Sequence, residues 1–390
     1  MTFTAQQQEF WGDLQADLFT KNTAVYLAND SLKNLISSNG KKAHRPVLSH
    51  PNIGTYTPHS DISFSEKSSE DQYLTVDTYE YAAEDIDITE KTGTPYDLVQ
   101  QSMMSIRAGL LNRVEQKFTS QITNAAHSIS GSPVLVSSAN ILDILEEAEG
   151  KLGSFDAPFE TSVRAAVFGP KTVAKLRRAK SDRETRLGDS TLENGVVGPW
   201  QGWTVVQNNN LPWSATLTMD TNPTNGDTCT IAGVIFEFQD NLANVTAGSV
   251  GVLIGINVAA TRANFVACLS DAGTAGTNYV QMGIKNNLII RRKRYVRATS
   301  AEAMAFTGYG DISVSETFTA ATNVWSNQKV KSVFMIRGSI DLVMQFIDIR
   351  IGDKEKGFAD LPKGIIGVGA KTFDDGALLM VKLEQDASAF

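Results

Sequence analysis

"EDIDITEKTGTPYDLVQQSMMSIRAGLLNRVEQKFTSQITNA", Glu84 to Ala125, decides how this chain is read. It starts as an acidic strand, breaks tightly, and continues as one long helix. Thr94 suits the N-cap and Pro95 the first helical position, and Asp97 sets a carboxylate against the free amides of the first turn. Ile106, Leu110, Val114, Phe118 and Ile122 then recur every four residues as one apolar stripe. About 30 residues rising 1.5 Å each predict a rod of roughly 45 Å, longer than the usual three or four turns. No metal cluster, nucleophile or phosphate loop accompanies it, so the rod itself needs a purpose.

The segments before the rod divide in two. Residues 1–43 read as one or two amphipathic helices, with Phe10, Leu14, Leu18 and Val25 at helical spacing, forming an N-terminal arm that packs on a neighbour or an N-terminal core helix. Residues 44–80 are polar and alternate: Ile62 with Phe64, Leu74 with Val76, Tyr79 with Tyr81. Period two predicts strands, and "EKSSED" at 66–71 has turn composition. The expectation is a long β-hairpin with too little apolar surface for a core of its own. An isolated two-stranded ribbon is marginal in water, so it should lie on something else.

After the rod, residues 133–213 read as α/β. "SSANILDILEEAEGKL" predicts a helix capped by Ser138, "VRAAVFG" a buried strand, "PKTVAKLRRAK" a helix opened by Pro170, and "LENGVVGPWQGWTVVQNNNLP" a glycine-punctuated loop and strand. Near residue 214 the texture changes. Strand alternation through Cys229, Ile231, Val234 and Phe236, the helix "VAATRANFVACLSDAG", and expected strands at "NLIIRRKRYVRATS" and "GYGDISVSETF" mark 214–324 as a compact β-rich insertion able to fold alone. Beyond Lys329 the α/β texture resumes, with "GSIDLVMQF" read as helix and "GALLMVKLEQDA" as the terminal strand.

Composition narrows the function classes. The chain has 390 residues, room for two or three domains. Its net charge of −8 argues against a tightly gripped nucleic acid. Two cysteines, Cys229 and Cys268, make no disulfide framework and read as buried thiols in a reducing compartment. The N-terminus lacks the regions of a signal peptide, and no apolar run approaches the ~20 residues that span a bilayer, so no membrane is expected.

Candidate chemical sites are weak. "GIIGVGAKT" at 364–372 nearly spells a phosphate loop, but Ala370 intervenes before Lys371 and would misplace the lysine; a glycine turn before the last strand is the better reading. His44, His50 and His59 match no zinc spacing, and His127 stands alone near a helix end. Asp85, Asp87 and Glu90 read as a solvated or subunit-contacting strand face rather than an acid–base pair. "RRKRYVR" at 291–297, taken as a strand, would align Arg291, Lys293, Tyr295 and Arg297 for phosphate, for a neighbour's acids, or for solvent. No catalytic, cofactor or metal residue is assigned.

The order of the pieces resembles the major capsid proteins of tailed bacteriophages, of the Hong Kong 97-type fold. The polar hairpin resembles that family's extended loop. "EYAAEDIDITEKTGTPYDLVQQSMMSIRAGLLNRVEQKFTSQI" resembles its strand and spine helix. "AAVFGPKTVAKLRRAK" with "NGVVGPWQGWTVVQNNNLP" resembles its axial domain, and "GSIDLVMQFIDI" with "GVGAKTFDDGALLMVKL" its closing segments.

The resemblance implies an α+β chain with an N-terminal arm (1–43), an extended loop (44–80), a peripheral domain (81–132, completed by about 371–390), an axial domain (133–213, completed by about 325–370) and an insertion domain (214–324). It implies a non-enzymatic coat protein, without cofactors, that self-assembles into hexamers and pentamers of an icosahedral or prolate shell around double-stranded DNA. Implied partners are neighbouring capsomers through the loop and arm, a scaffolding protein, a portal at one vertex, a cement or decoration protein, and packaged DNA on the inner face. The implied location is the virion capsid, assembled in the host bacterial cytoplasm. An encapsulin-like cargo shell shares the fold and is the alternative, followed by a soluble α/β enzyme. Lys67 sits near the expected hairpin tip, but no motif marks an asparagine partner, so the subunit cross-linking of some family members is not carried over.

Overall fold

The computed structural model describes residues 24–33, 42–48, 53–58, 61–62, 64, 66–87, 98–131, 133–154, 163–181, 202–353 and 359–387. Phe10, Leu14, Leu18, His50, His59, Glu90 and the expected helix cap at Thr94, Pro95 and Asp97 lie outside them. The first half holds β1 (Lys42–Leu48), β2 (Ser69–Thr75), β3 (Thr78–Ala83), β4 (Ile86–Asp87), the long helix Leu98–Ser120, and β5 (His127–Ser128). The helix Ile141–Gly153, β6 (Arg164–Phe168), the helix Pro170–Ser181 and β7 (Trp203–Gln207) follow. Next come β8 (Pro212–Thr218), β9 (Thr228–Ile231), β10 (Val234–Gln239), β11 (Val250–Leu253) and the helix Val258–Ser270. The helix Ile284–Asn287 continues into a π-helical turn, Leu288–Lys293, before β12 (Arg297–Ala298), β13 (Ala303–Tyr309) and β14 (Val314–Glu316). Three 13-residue strands, β15 (Val324–Ile336), β16 (Asp341–Asp353) and β17 (Ala359–Lys371), precede the short helix Asp374–Leu378 and β18 (Met380–Asp386).

The long helix lies on a sheet of β16, β17 and β3, with β4 pairing β17 at its end. All five residues of the predicted stripe are buried, and a 3₁₀ turn carries it on through Ile122. The 23 described helical residues span about 35 Å. Gly364 of β17 lets the helix sit close: a Cβ there would stand 2.8 Å from Ile106 and 3.0 Å from Leu110. Gly369 does the same for a second neighbour, since its Cβ would stand 2.4 Å from the Thr75 carbonyl. The run "GIIGVGAKT" is therefore a strand whose glycines admit other elements, and not the expected turn. "GSIDLVMQF", expected as helix, is the antiparallel partner of that strand. A short apolar run does not separate the two periods; its partner does.

β15 organises the second sheet. Its C-terminal half pairs β6 and its N-terminal half pairs β8, both on one edge, while β18 runs along the other. Alternate residues serve different cores, as period two requires. Phe334 and Ile336 join Phe168, Trp203 and the helices Ile141–Gly153 and Pro170–Ser181. Val333 and Met335 face the cluster that contains the long helix's stripe.

This topology corrects the expected domain closure. The stretch 341–371 completes the sheet under the long helix, and β18 joins β15 in the sheet of β6 and β7, so these two segments are exchanged relative to the sequence reading while β15 stays beside β6. The 214 boundary cuts β8, and β8 and β13 extend the β15 sheet, so the strands of 214–324 are not self-contained. Only β11, β10, β9 and β14 form a sheet confined to that segment, with Phe236 and Phe238 packing on Phe265 of the helix Val258–Ser270.

The ribbon is β1 with β2; Ile62 and Phe64 are outside any strand, and "EKSSED" enters β2 rather than turning. β3 begins at Thr78, inside the expected loop, and belongs to the sheet of β17. Asn140, not Ser138, occupies the N-cap of the helix Ile141–Gly153, and its Oδ1 accepts from the Ser137 amide at 2.8 Å. "RRKRYVR" is a helix end followed by a two-residue strand, so its cations point different ways.

Candidate assembly surfaces

The β1–β2 ribbon is locked at its root. Ala43, Leu74 and Val76 share a small core with Leu32, Val343 and Phe373. Arg45 of β1 donates to Asp375 Oδ2 at 2.5 Å, stands 3.9 Å from Asp341, and stacks 5.2 Å from the Phe373 ring. Gln72 donates to Asp374, and Lys371 donates to the Tyr73 carbonyl at 2.9 Å. His44 pairs with Asp71 across the two strands at 2.6 Å. Asp341 is the buried member of this set. Burial pushes its carboxyl up to about 6, with Arg45 and the Asn29 amide, 2.7 Å away, opposing.

Beyond that root the segment between the two strands presents apolar side chains to solvent. Ile53 is fully exposed, Phe64 93% exposed, and Ile62 and Tyr56 about two-thirds exposed. Large apolar groups held out this way on an anchored arm mark a contact site, whereas scattered ones would need no explanation.

The long helix gathers the other segments through its polar face. Glu115 accepts from the Ala24 amide at 3.2 Å, from Asn208 at 3.0 Å and from Asn210 at 2.5 Å. Burial raises its pKa, and these three donors pull it back. Thr119 donates to the Asn210 carbonyl at 2.6 Å, and Gln116 to the Lys293 carbonyl at 3.1 Å. The Arg113 guanidinium lies 3.2 Å from the Tyr295 ring centroid and that of Arg297 4.1 Å from it, while Arg113 also reaches Glu80 of β3 at 3.9 Å. One helix face thus ties together the N-terminal segment, the β3 sheet, the "NNN" turn and the 214–324 segment.

Sequence reading missed this network. Its signal was a triple asparagine directly after a strand, facing Asn112, Glu115, Gln116 and Thr119 at helical spacing. The basic run, expected to meet phosphate, a neighbour's acids or solvent, is largely spent inside the chain. Arg291 is buried against Asp271 at 2.9 Å and the Cys268 carbonyl at 2.6 Å; Arg292 reaches Ser105 at 3.2 Å.

The remaining sequence candidates do not converge. Asp85 and Asp87 are exposed beside buried Ile86, His127 lies in β5, and Lys67 is exposed before β2. Lys371 sits on an extended strand and serves the ribbon root, which is no phosphate cradle. Both cysteines are buried, and burial drives both thiols up, that of Cys268 to about 12. Among the described residues no cluster of ligands could hold a metal, and no helix is long and apolar enough to cross a membrane.

No family model matches the chain, and no curated protein does. Solved structures do. A chain from Mycobacterium phage Che8 superposes with a TM-score of 0.56 at 11% identity, over 93% of this chain and 89% of that one. A chain from the capsid structure of the cyanophage P-SCSP1u gives 0.51 at 11% identity, over 89% and 84%. The fold is that of tailed-phage capsids, the Hong Kong 97-type fold.

Proposed function

We propose that this chain is the major capsid protein of a tailed bacteriophage, assembling with itself into hexamers and pentamers of a closed shell around double-stranded DNA. The observation that carries the reading is the anchored ribbon. It is fixed at its root by a six-residue core and a pair of carboxylates on Arg45, yet the segment between its strands holds large apolar side chains that stay mostly exposed among the described residues. Such an arm is complete only against another copy. The spine helix supplies the stiffness that a thin, wide subunit needs. Heterologous contacts of this kind close into rings when the rotation permits, and rings into shells.

The role is structural and not enzymatic. The finer organisation goes with it: an arm before residue 44, a peripheral unit built on the spine helix and residues 341–371, an axial unit around β15 and β18, and an insertion within 214–324. A scaffolding protein during assembly, a portal at one vertex, a cement protein outside and packaged DNA inside complete the partners, with assembly in the bacterial cytoplasm and residence in the virion capsid.

Expression of the chain followed by velocity sedimentation and negative-stain microscopy tests the proposal. Closed shells or capsomer-sized rings are expected. A lone monomer or small dimer under all assembly conditions would sink it. Particles from infected cells that enclose protein cargo instead of a phage genome would favour the cargo-shell alternative.

A further inference from the structure

Two surface stretches share one composition rule, apolar groups set among charges predominantly of one sign, acidic in the first and basic in the second. Residues 61–71 of the extended loop hold Asp61, Glu66, Glu70 and Asp71 against one lysine, around exposed Ile62 and Phe64. Residues 284–293 hold Lys285, Arg291, Arg292 and Lys293 with no carboxylate at all. Arg291 is turned inward to Asp271, but Lys285, Arg292 and Lys293 are exposed, beside Ile284 at 92% exposure and Leu288 at 38%.

The backbone aligns these groups. Four residues overshoot one α-helical turn slightly and undershoot the wider π turn slightly, so positions 284, 288 and 292 fall in one column, with 285 and 293 in the next. The column ends on the spine helix, where Arg292 reaches Ser105 next to exposed Met104. An apolar strip rimmed by cations therefore runs from the insertion onto the spine.

We infer that the acidic tip of one copy's extended loop docks on this strip of a second copy, seating Ile62 and Phe64 against Ile284 and Leu288 and setting Glu66 and Glu70 against Lys285 and Lys293. This rests on the shell-subunit reading and adds the receptor for the loop. The occupant is another copy because Phe64 is 93% exposed within its own chain. Charge complementarity at a rim selects the partner and its register, while the apolar pair supplies the buried contact.

Opposite-charge variants test it. Glu66→Lys with Glu70→Lys, and separately Lys285→Glu with Lys293→Glu, should each lower shell yield roughly tenfold at low salt by placing like charges together. All four changes in one chain should restore it. Each variant's subunit melt should match the unaltered protein, since these residues are exposed. A benzophenone amino acid at position 64 should cross-link to a peptide within 284–293 of a differently labelled copy. Normal shells from either pair of changes, a combined variant as defective as its parents, or cross-links falling elsewhere would overturn the docking assignment while leaving the shell reading intact. Failure of the unaltered protein to form any shell would instead count against the shell reading itself.

Discussion

The extended loop and the 214–324 segment both branch from the body of the subunit, and they are held in opposite ways. Among the described residues the loop is tied to the body at its root, through Arg45, Gln72 and a six-residue core, and carries exposed apolar side chains beyond it. The insertion never leaves. Its β8 and β13 lengthen the sheet of β15, its core runs without a break into the stripe of the spine helix, and Tyr295 is clasped by Arg113 of that helix. The polar segment is thus the more independent one in space, although it has the least core. Apolar content told us that residues 214–324 have a core; it could not tell us that the core is shared.

Four experiments test that contrast. The largest effect is expected from excision. A fragment of residues 214–324 loses β15 and the spine helix, so it should be protease-sensitive without a cooperative thermal transition. A soluble, β-rich fragment that melts cooperatively would show that the inner four-stranded sheet suffices.

Phe306→Ala comes next. Phe306 on β13 is buried against Trp325, 4.7 Å away, and Phe265, 5.8 Å away, which join the insertion to β15. A loss of about 3–5 kcal/mol is expected by chemical denaturation of the whole chain, felt as one transition. Two separated transitions would mean that the insertion and body unfold independently.

Asp341→Asn tests the loop root. The folded carboxyl titrates near 6, above the ordinary unfolded value of about 3.9. Below the lower value both states are protonated and nothing is lost. As pH rises through the window, ionising a buried group costs stability, and the loss is complete above the higher value. The variant should therefore melt higher at pH 7, by about 1–3 kcal/mol, gain nothing at pH 4, and flatten the curve between. An unchanged pH profile would show that Arg45 already neutralises the site.

The smallest stability effect belongs to the loop tip. Ile62→Ser with Phe64→Ser should leave subunit stability within about 0.5 kcal/mol, as exposed positions allow. Shells should nonetheless fail to form in sedimentation. A marked drop in the subunit melt would place the tip in its own subunit's core.

What could be read from the residues was local. The four-residue recurrence of the long helix, the alternation of β9 and β10, the proline-opened helix at 170 and the helix at 258–270 follow from spacing within a dozen residues, because side-chain direction repeats every 3.6 or 2 residues. The ordered set of such elements was enough to point to the capsid fold. What spacing leaves open is the partner of each element. "GSIDLVMQF" suits helix or strand until β17 lies beside it, and the glycines of β17 look like turn residues until Ile106, Leu110 and Thr75 stand over them. The exchange of the two chain returns, the inward turn of Arg291, the asparagine network on Glu115 and the pairing of Asn29 with Asp341, 312 residues away, are of the same kind. They were decided by which surfaces the folded chain brings together, and the free energy of those contacts belongs to pairs of residues that no local window contains.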